Sequence, residues 1–79
     1  MIPDFAQIEI LFASLLYDAE CELSAKDRED VQDFIRHGEY GLALETIVGA
    51  YEEEKKTPSD RIASLIATLA EAMSLDLKP

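Results

Sequence analysis

The sequence predicts an all-α protein, a compact single-domain bundle of four helices. Apolar residues recur at steps of three and four in four segments, no segment alternates as a strand would, and the connections are short. We place the helices at about residues 3–21, 25–37, 39–56 and 58–74. Residues 1–79 are one domain, because a chain this short buries only somewhat over ~60% of its unfolded surface and cannot build a second core.

The first predicted helix has two apolar faces. Its main face, which we assign to the core, consists of Phe5, Ile8, Leu11, Phe12, Leu15, Leu16 and Ala19. A second and narrower face consists of Ala6, Ile10, Ala13 and Tyr17. Either another helix of the bundle covers this second face, or it is a surface for a partner or for a second copy in a homodimer.

The second predicted helix begins at a Ser-x-x-acid cap formed by Ser24 and Asp27. A helical wheel separates its side chains into an inner and an outer group. The inner residues are Val31, Phe34 and Ile35, and the outer ones are Glu29, Asp30 and Asp33.

Local features mark the two remaining helices. In the third, Leu42 lies opposite the core face and is exposed unless a neighbouring helix reaches it, and Glu52 is spaced to pair with Lys56. The fourth follows Thr57, a cap candidate, with Pro58 suited to the first helical turn.

A corner at residues 37–45 joins the second and third helices without a separate loop. Gly38 stands where a helix C-terminus favours a left-handed residue, and Glu39 then falls in the first turn of the next helix. Gly41 costs helix stability unless a neighbouring backbone comes close. We therefore expect Gly38 and Gly41 to be structural and to hold the two helices at close approach.

The segment from Val31 to Glu45 resembles small α-helical immunity proteins of bacterial polymorphic-toxin and contact-dependent growth inhibition systems, including the MafI-like and CdiI-like ones. Its distinctive elements are the Gly38-Glu39 pair and Leu42-Ala43 with Glu45, after a helix that carries an aliphatic-aromatic pair. The resemblance implies a protein that neutralises the C-terminal domain of a cognate toxin by stoichiometric binding.

The composition favours a basic protein as the partner. Seventeen acidic residues against seven basic ones give a net charge of −10, which repels nucleic acid and anionic membranes, although acidity can also serve solubility alone. We expect a cytoplasmic location, since no basic segment precedes the apolar run and that run, residues 10–17, is far shorter than the ~20 residues of a membrane span. Cys21, the single cysteine, cannot form an internal disulfide.

We expect no enzyme, metal or cofactor. One His and one Cys cannot assemble a metal site at suitable spacing, and the sequence has no phosphate-binding loop. We assign His37 to the carbonyl groups at a helix end. Size and charge also resemble an acyl carrier protein, but the Asp-Ser-Leu attachment motif of that family is absent near mid-chain.

Acidic residues cluster in one part of the chain. Seven of them fall within residues 18–33, which contain only two basic residues, Lys26 and Arg28. We expect partner contacts at Asp18, Glu20, Glu22, Glu29, Asp30, Asp33 and Glu39, with Tyr40 or Leu42 as an apolar anchor. The partner class that fits is a basic nuclease, such as an RNase or tRNase. A DNA-mimic inhibitor or an acidic adaptor for another basic protein fits the same charge.

Overall fold

A computed structural model describes residues 5–73 of the chain. They form four helices: α1 (Phe5–Leu16), α2 (Ala25–Arg36), α3 (Tyr40–Glu53) and α4 (Asp60–Ala72). No strand occurs in this part of the chain, and the predicted all-α four-helix fold is confirmed. The predicted helix limits at residues 3 and 74 lie outside the described residues.

One apolar core lies between the four helices. α2 packs mainly on α3, α1 packs on α4, and α3 also contacts α4. The largest fully buried side chains come from every helix: Ile8, Phe12, Leu15, Val31, Leu44, Ile47, Ile62 and Leu69. Among residues 5–73 no helix is both long enough and apolar enough to cross a bilayer.

α1 ends at Leu16 and not at residue 21, so the prediction for this boundary was wrong. The chain then turns, and the Asp18 side chain accepts a hydrogen bond from the Glu20 N–H at 2.8 Å. Such a local side-chain acceptor offers the backbone an alternative to further helix. The Leu16 carbonyl at the helix end accepts a hydrogen bond from the guanidinium of Arg28.

α2 begins and ends through the local signals seen in the sequence. The Ser24 hydroxyl accepts a hydrogen bond from the Asp27 N–H at 3.1 Å, which confirms the predicted cap. At the other end Gly38 has φ +72°, and the Glu39 N–H donates to the Phe34 carbonyl at 2.8 Å, as in a Schellman motif. A Cβ at Gly38 would meet nothing within 4 Å, so the left-handed backbone, and not close approach, requires this glycine.

α3 is shorter than predicted at both ends. Glu39 is its N-cap residue and does not lie in the first turn, whereas Gly41 does. At the C-terminus Lys55 adopts φ +54°, and the Lys56 N–H donates to the Tyr51 carbonyl at 2.9 Å. This reversal moves Lys56 off the helix, so it pairs with Glu54 at 3.1 Å and the predicted pair with Glu52 was wrong.

α4 begins at Asp60, two residues later than predicted. The cap is Ser59 and not Thr57, because the Ser59 hydroxyl accepts a hydrogen bond from the Ile62 N–H at 3.3 Å. Asp60 then lies in the first turn, where the helix dipole favours a negative charge.

Candidate functional site: an acidic surface and an apolar helix face

The carboxylates predicted to contact a partner lie in the α1–α2 loop, on α2 and at the N-cap of α3, and we call these residues the acidic surface: Asp18, Glu20, Glu22, Glu29, Asp30, Asp33 and Glu39. Within it, Arg61 of α4 reaches across to the loop. Its guanidinium pairs with Asp18 at 3.4 Å and with Glu20 at 2.9 Å. The Asp18 side chain is only 12% exposed, so it holds the loop in place and is poorly placed to contact a partner.

Two further carboxylates of the acidic surface have cations beside them on α2. Lys26 pairs with Asp30 at 3.2 Å, and Arg36 pairs with Asp33 one turn away. Both pairs are solvent-exposed, so each contributes only about 0–1 kcal/mol and exchanges easily with the cations of another molecule.

Glu22, Glu29 and Glu39 are the exposed carboxylates of the predicted site that have no ion pair within residues 5–73. They lie in the loop, on α2 and at the N-cap of α3, respectively. Because no cation of the described structure lies within ion-pair distance of them, they are the strongest candidates for contacts with an external cation. The pKa of Lys56 is raised mainly by its hydrogen bond with Glu54, and the charge of Glu22 adds to that rise.

Arg28 is the second cation inside the acidic cluster, but its charge points at backbone and not at a carboxylate. Its guanidinium donates to the carbonyl oxygens of Leu16, Leu23 (3.3 Å) and Cys21 (3.3 Å). The Leu16 carbonyl belongs to the last turn of α1, where the helix dipole favours a cation. Arg28 thus ties the acidic loop to the end of α1, a role that the sequence analysis did not identify.

Tyr51 of α3 fixes the same loop from the core side. Its phenol oxygen accepts a hydrogen bond from the Glu22 N–H at 3.0 Å, and only 4% of the residue is exposed. Burial raises the pKa of the Tyr51 phenol above its ordinary value. The backbone that carries Glu22 is therefore anchored, while its carboxylate stays in solvent.

Tyr40, a predicted anchor, is engaged within the chain. Its ring stacks on Phe5 and Phe12, with centroids 5.6 Å and 6.3 Å away, and its hydroxyl donates to the Glu9 carboxylate at 2.5 Å. This hydrogen bond raises the pKa of the Tyr40 phenol. Leu42, the other predicted anchor, is 45% exposed beside the corner, so it is the more accessible of the two.

The second face of α1 is exposed, and we call Ala6, Ile10, Ala13 and Tyr17 the α1 stripe. All four residues are exposed, with Ile10 58% and Tyr17 76% accessible. The interpretation that another helix of the bundle covers this face was therefore wrong. None of these four residues carries a charge; the one charged side chain on α1, that of Glu9, lies beside the stripe and accepts a hydrogen bond from Tyr40.

An open groove runs beside the α1 stripe, between α1 and α2. Its volume is about 370 Å³, and its floor includes the buried side chains of Phe12 and Leu16. Tyr17 and Gln32 stand across its rim, with the Gln32 amide nitrogen 3.4 Å from the Tyr17 hydroxyl. The full lining is Glu9, Phe12, Ala13, Leu16, Tyr17, Gln32, Ile35 and Arg36.

The groups that usually support catalysis or metal binding are occupied or scattered. Among residues 5–73, no three His, Cys, Asp or Glu side chains converge as a metal site. The Nδ1 of His37 lies 2.7 Å from the Asp33 carbonyl, and since a carbonyl only accepts, this nitrogen is the donor. His37 therefore contacts the end of α2, as predicted.

Comparisons with protein-family models, with curated proteins and with solved structures found no match to this chain.

Proposed function

We propose that this protein is a small bacterial immunity protein that binds the C-terminal domain of a cognate toxin through the acidic surface. The toxin class that fits is a basic nuclease, such as an RNase or tRNase. The observation that carries the proposal is the set of exposed carboxylates without an ion pair in residues 5–73: Glu22, Glu29 and Glu39. The resemblance of residues 31–45 to such immunity proteins supports the same assignment.

Electrostatic competition explains how such a surface would inhibit. A nuclease holds phosphates with Lys and Arg, and an acidic surface accelerates encounter with that groove and then excludes the nucleic acid. The exposed pairs of Asp30 with Lys26 and of Asp33 with Arg36 are weak, so a toxin arginine can replace either cation at little cost. The inhibitor acts by stoichiometric occupation and needs no chemistry.

An apolar contact would add affinity at the edge of the acidic surface. Leu42 follows Glu39 on the first turn of α3 and is partly exposed. Binding energy usually concentrates in a few desolvated groups surrounded by near-neutral contacts. We assign that anchor role to Leu42 in preference to Tyr40, whose hydroxyl and ring already have partners in the chain.

Co-expression tests the proposal. The upstream reading frame is first inspected for a large protein that ends in a basic domain, and the probe is that candidate toxin domain, expressed in a bacterium together with this chain. We expect the wild type to restore growth and the double variant Glu22→Lys/Glu29→Lys to fail. The matched control Glu53→Lys/Glu71→Lys changes net charge equally at exposed carboxylates of α3 and α4 and should restore growth. If no variant differs from the wild type, the assignment of the acidic surface is wrong.

The groove between α1 and α2 favours a second candidate function. An open groove of about 370 Å³ with an apolar floor and the polar side chains of Glu9, Gln32 and Arg36 in its lining could accept a helix of another protein, as in helix-in-groove recognition. The chain would then be an acidic adaptor for another basic protein. Absence of rescue by the wild type in the co-expression experiment, together with capture of a helical basic peptide in the groove, would favour this adaptor.

A further inference from the structure

We infer that the α1 stripe joins two copies of this chain, with the two α1 helices antiparallel across a two-fold axis. The inference goes beyond the proposed function, because it concerns a face that carries none of the acidic residues assigned to the toxin. The stripe exposes two large apolar side chains, Ile10 and Tyr17, that no part of residues 5–73 covers.

The charge distribution selects a second copy over a basic partner. None of the four stripe residues carries a charge, so the stripe itself offers nothing to a cationic surface; the one carboxylate on α1, that of Glu9, keeps its charge beside the stripe and accepts the Tyr40 hydroxyl. A chain with a net charge of −10 associates with itself at the lowest electrostatic cost through a region where charges are sparse. The α1 stripe meets that condition.

The spacing of the stripe is self-complementary only when the helices are antiparallel. Ala6, Ile10, Ala13 and Tyr17 are separated by steps of four, three and four, which read the same in both directions. In an antiparallel pair Tyr17 faces Ala6 of the other copy, and Ile10 faces the other copy's Ala13. Each large side chain then meets a small one, which is the packing that interdigitating helices favour. In a parallel pair each residue would face its own equivalent, so the large Tyr17 would meet Tyr17 and the small Ala6 would meet Ala6.

The size of the stripe predicts a weak and reversible dimer. α1 has 12 residues and is about 18 Å long, so one face covers about 400 Å² per copy. The total of about 800 Å² lies below the ~1,200 Å² of stable complexes. The groove shares Ala13 and Tyr17 with the stripe and adds contact area for the facing Ile10. We expect a dissociation constant on the order of 10–100 µM.

Sedimentation of the full chain tests the inference. At concentrations from about 10 µM to about 1 mM we expect a monomer–dimer equilibrium that tightens several-fold as NaCl rises from about 0.05 M to about 0.5 M, because salt screens the repulsion between two acidic molecules. Ile10→Glu should weaken the dimer at least ten-fold. Ala67→Glu adds the same charge on the exposed face of α4 and should leave it unchanged.

Cross-linking tests the orientation. Mixing Ile10→Cys with Ala13→Cys should give a disulfide-linked heterodimer, while Ile10→Cys alone should cross-link poorly. A monomer at about 1 mM in both salts would overturn the inference, and so would a dimer broken by Ala67→Glu but not by Ile10→Glu. Circular dichroism confirms that each variant folds. Because Ile10→Glu leaves the acidic surface intact, it should still restore growth, so this test can fail independently of the proposed function.

Discussion

The acidic surface and the α1 stripe are built in different ways. The acidic surface depends on interactions between distant elements. Arg61 of α4 forms an ion pair with the α1–α2 loop, which carries several of the acidic residues, and Tyr51 of α3 and Arg28 of α2 form hydrogen bonds with it. The α1 stripe is the outer side of one helix. We expect recognition by the first to be electrostatic and to weaken with salt, and association through the second to depend on shape and to strengthen with salt. One small domain can thus present two surfaces that respond oppositely to the same change of solvent.

The largest expected effect is on the free energy of unfolding, and it distinguishes the buried side of α1 from the α1 stripe. Phe12→Ala removes a side chain with 0% exposure and should cost about 3–5 kcal/mol of unfolding free energy, a large part of the stability of a 79-residue domain. Ile10→Ala, two residues away on the stripe, should cost less than about 1 kcal/mol because that side chain stays largely in solvent. Urea unfolding measures both. Equal losses of unfolding free energy in the two variants would contradict the exposure of Ile10 on the α1 stripe.

Replacing Arg28 tests whether the acidic surface depends on hydrogen bonds between residues that are far apart in the sequence. Arg28→Ala should cost about 2–3 kcal/mol, because three backbone carbonyls lose a charged donor, and Arg28→Lys should restore little of it. Amide exchange should quicken in residues 18–24 and stay unchanged at Ala6, Ile10 and Ala13 of the α1 stripe. Lys26→Ala, which removes only an exposed ion pair, is the control and should cost under about 0.5 kcal/mol. A uniform rise in exchange would contradict the separation of the two surfaces.

Substitutions at the two helix ends with left-handed backbone should change the free energy of unfolding by similar amounts in opposite directions. Gly38→Ala should destabilise by about 1 kcal/mol, because φ +72° is unfavourable for any residue with a Cβ. Lys55→Gly should stabilise by up to about 1 kcal/mol, since Lys55 already has φ +54°. Gly38 precedes Glu39 of the acidic surface, whereas Lys55 is outside both surfaces. Only the first substitution should therefore alter binding at the acidic surface, and thermal unfolding with a binding assay distinguishes the two.

The smallest expected effect is an alkaline loss of stability. Burial raises the pKa of Tyr51, and the Glu9 hydrogen bond raises that of Tyr40. As pH rises, the folded chain therefore keeps these two phenol protons to higher pH than the unfolded chain does. The stabilisation that the protonated phenols give to the folded state is complete below about pH 10 and is lost as pH rises through the pKa values of the folded state. Tyr51→Phe should lower stability by about 1 kcal/mol near pH 7, by removing the acceptor for Glu22, and should flatten the alkaline decline. An unchanged decline would contradict the burial of this phenol.

Features encoded by neighbouring residues could be read from the sequence. Ser24 caps α2 three residues ahead of its donor and Gly38 ends it, so both follow from local spacing. The core face of α1 follows from helical periodicity at Ile8, Phe12, Leu15 and Leu16, but the prediction was wrong for Phe5, which is 53% exposed, and for Ala19, which is exposed beyond the helix end. The early end of α1 could not be predicted, because it involves Arg28 twelve residues further along the chain.

The sequence predicted which residues form the candidate site, but it did not predict how they are arranged in space. The count of acids in residues 18–33 does not reveal that Asp18 is shielded by Arg61, which is more than forty residues away. The α1 stripe was visible as a pattern, but whether a helix covers it depends on how α1 and α4 pack, which periodicity does not determine.

The central claim, that the acidic surface binds a cationic partner, is tested most directly by calorimetric titration. The chain is titrated with the candidate toxin domain used for co-expression, at about 0.05 M and about 0.3 M NaCl. We expect a one-to-one complex that weakens with salt, and a loss of at least ten-fold in affinity for Glu22→Lys/Glu29→Lys but not for Glu53→Lys/Glu71→Lys. Equal affinities for the two double variants, or an affinity independent of salt, would contradict the account.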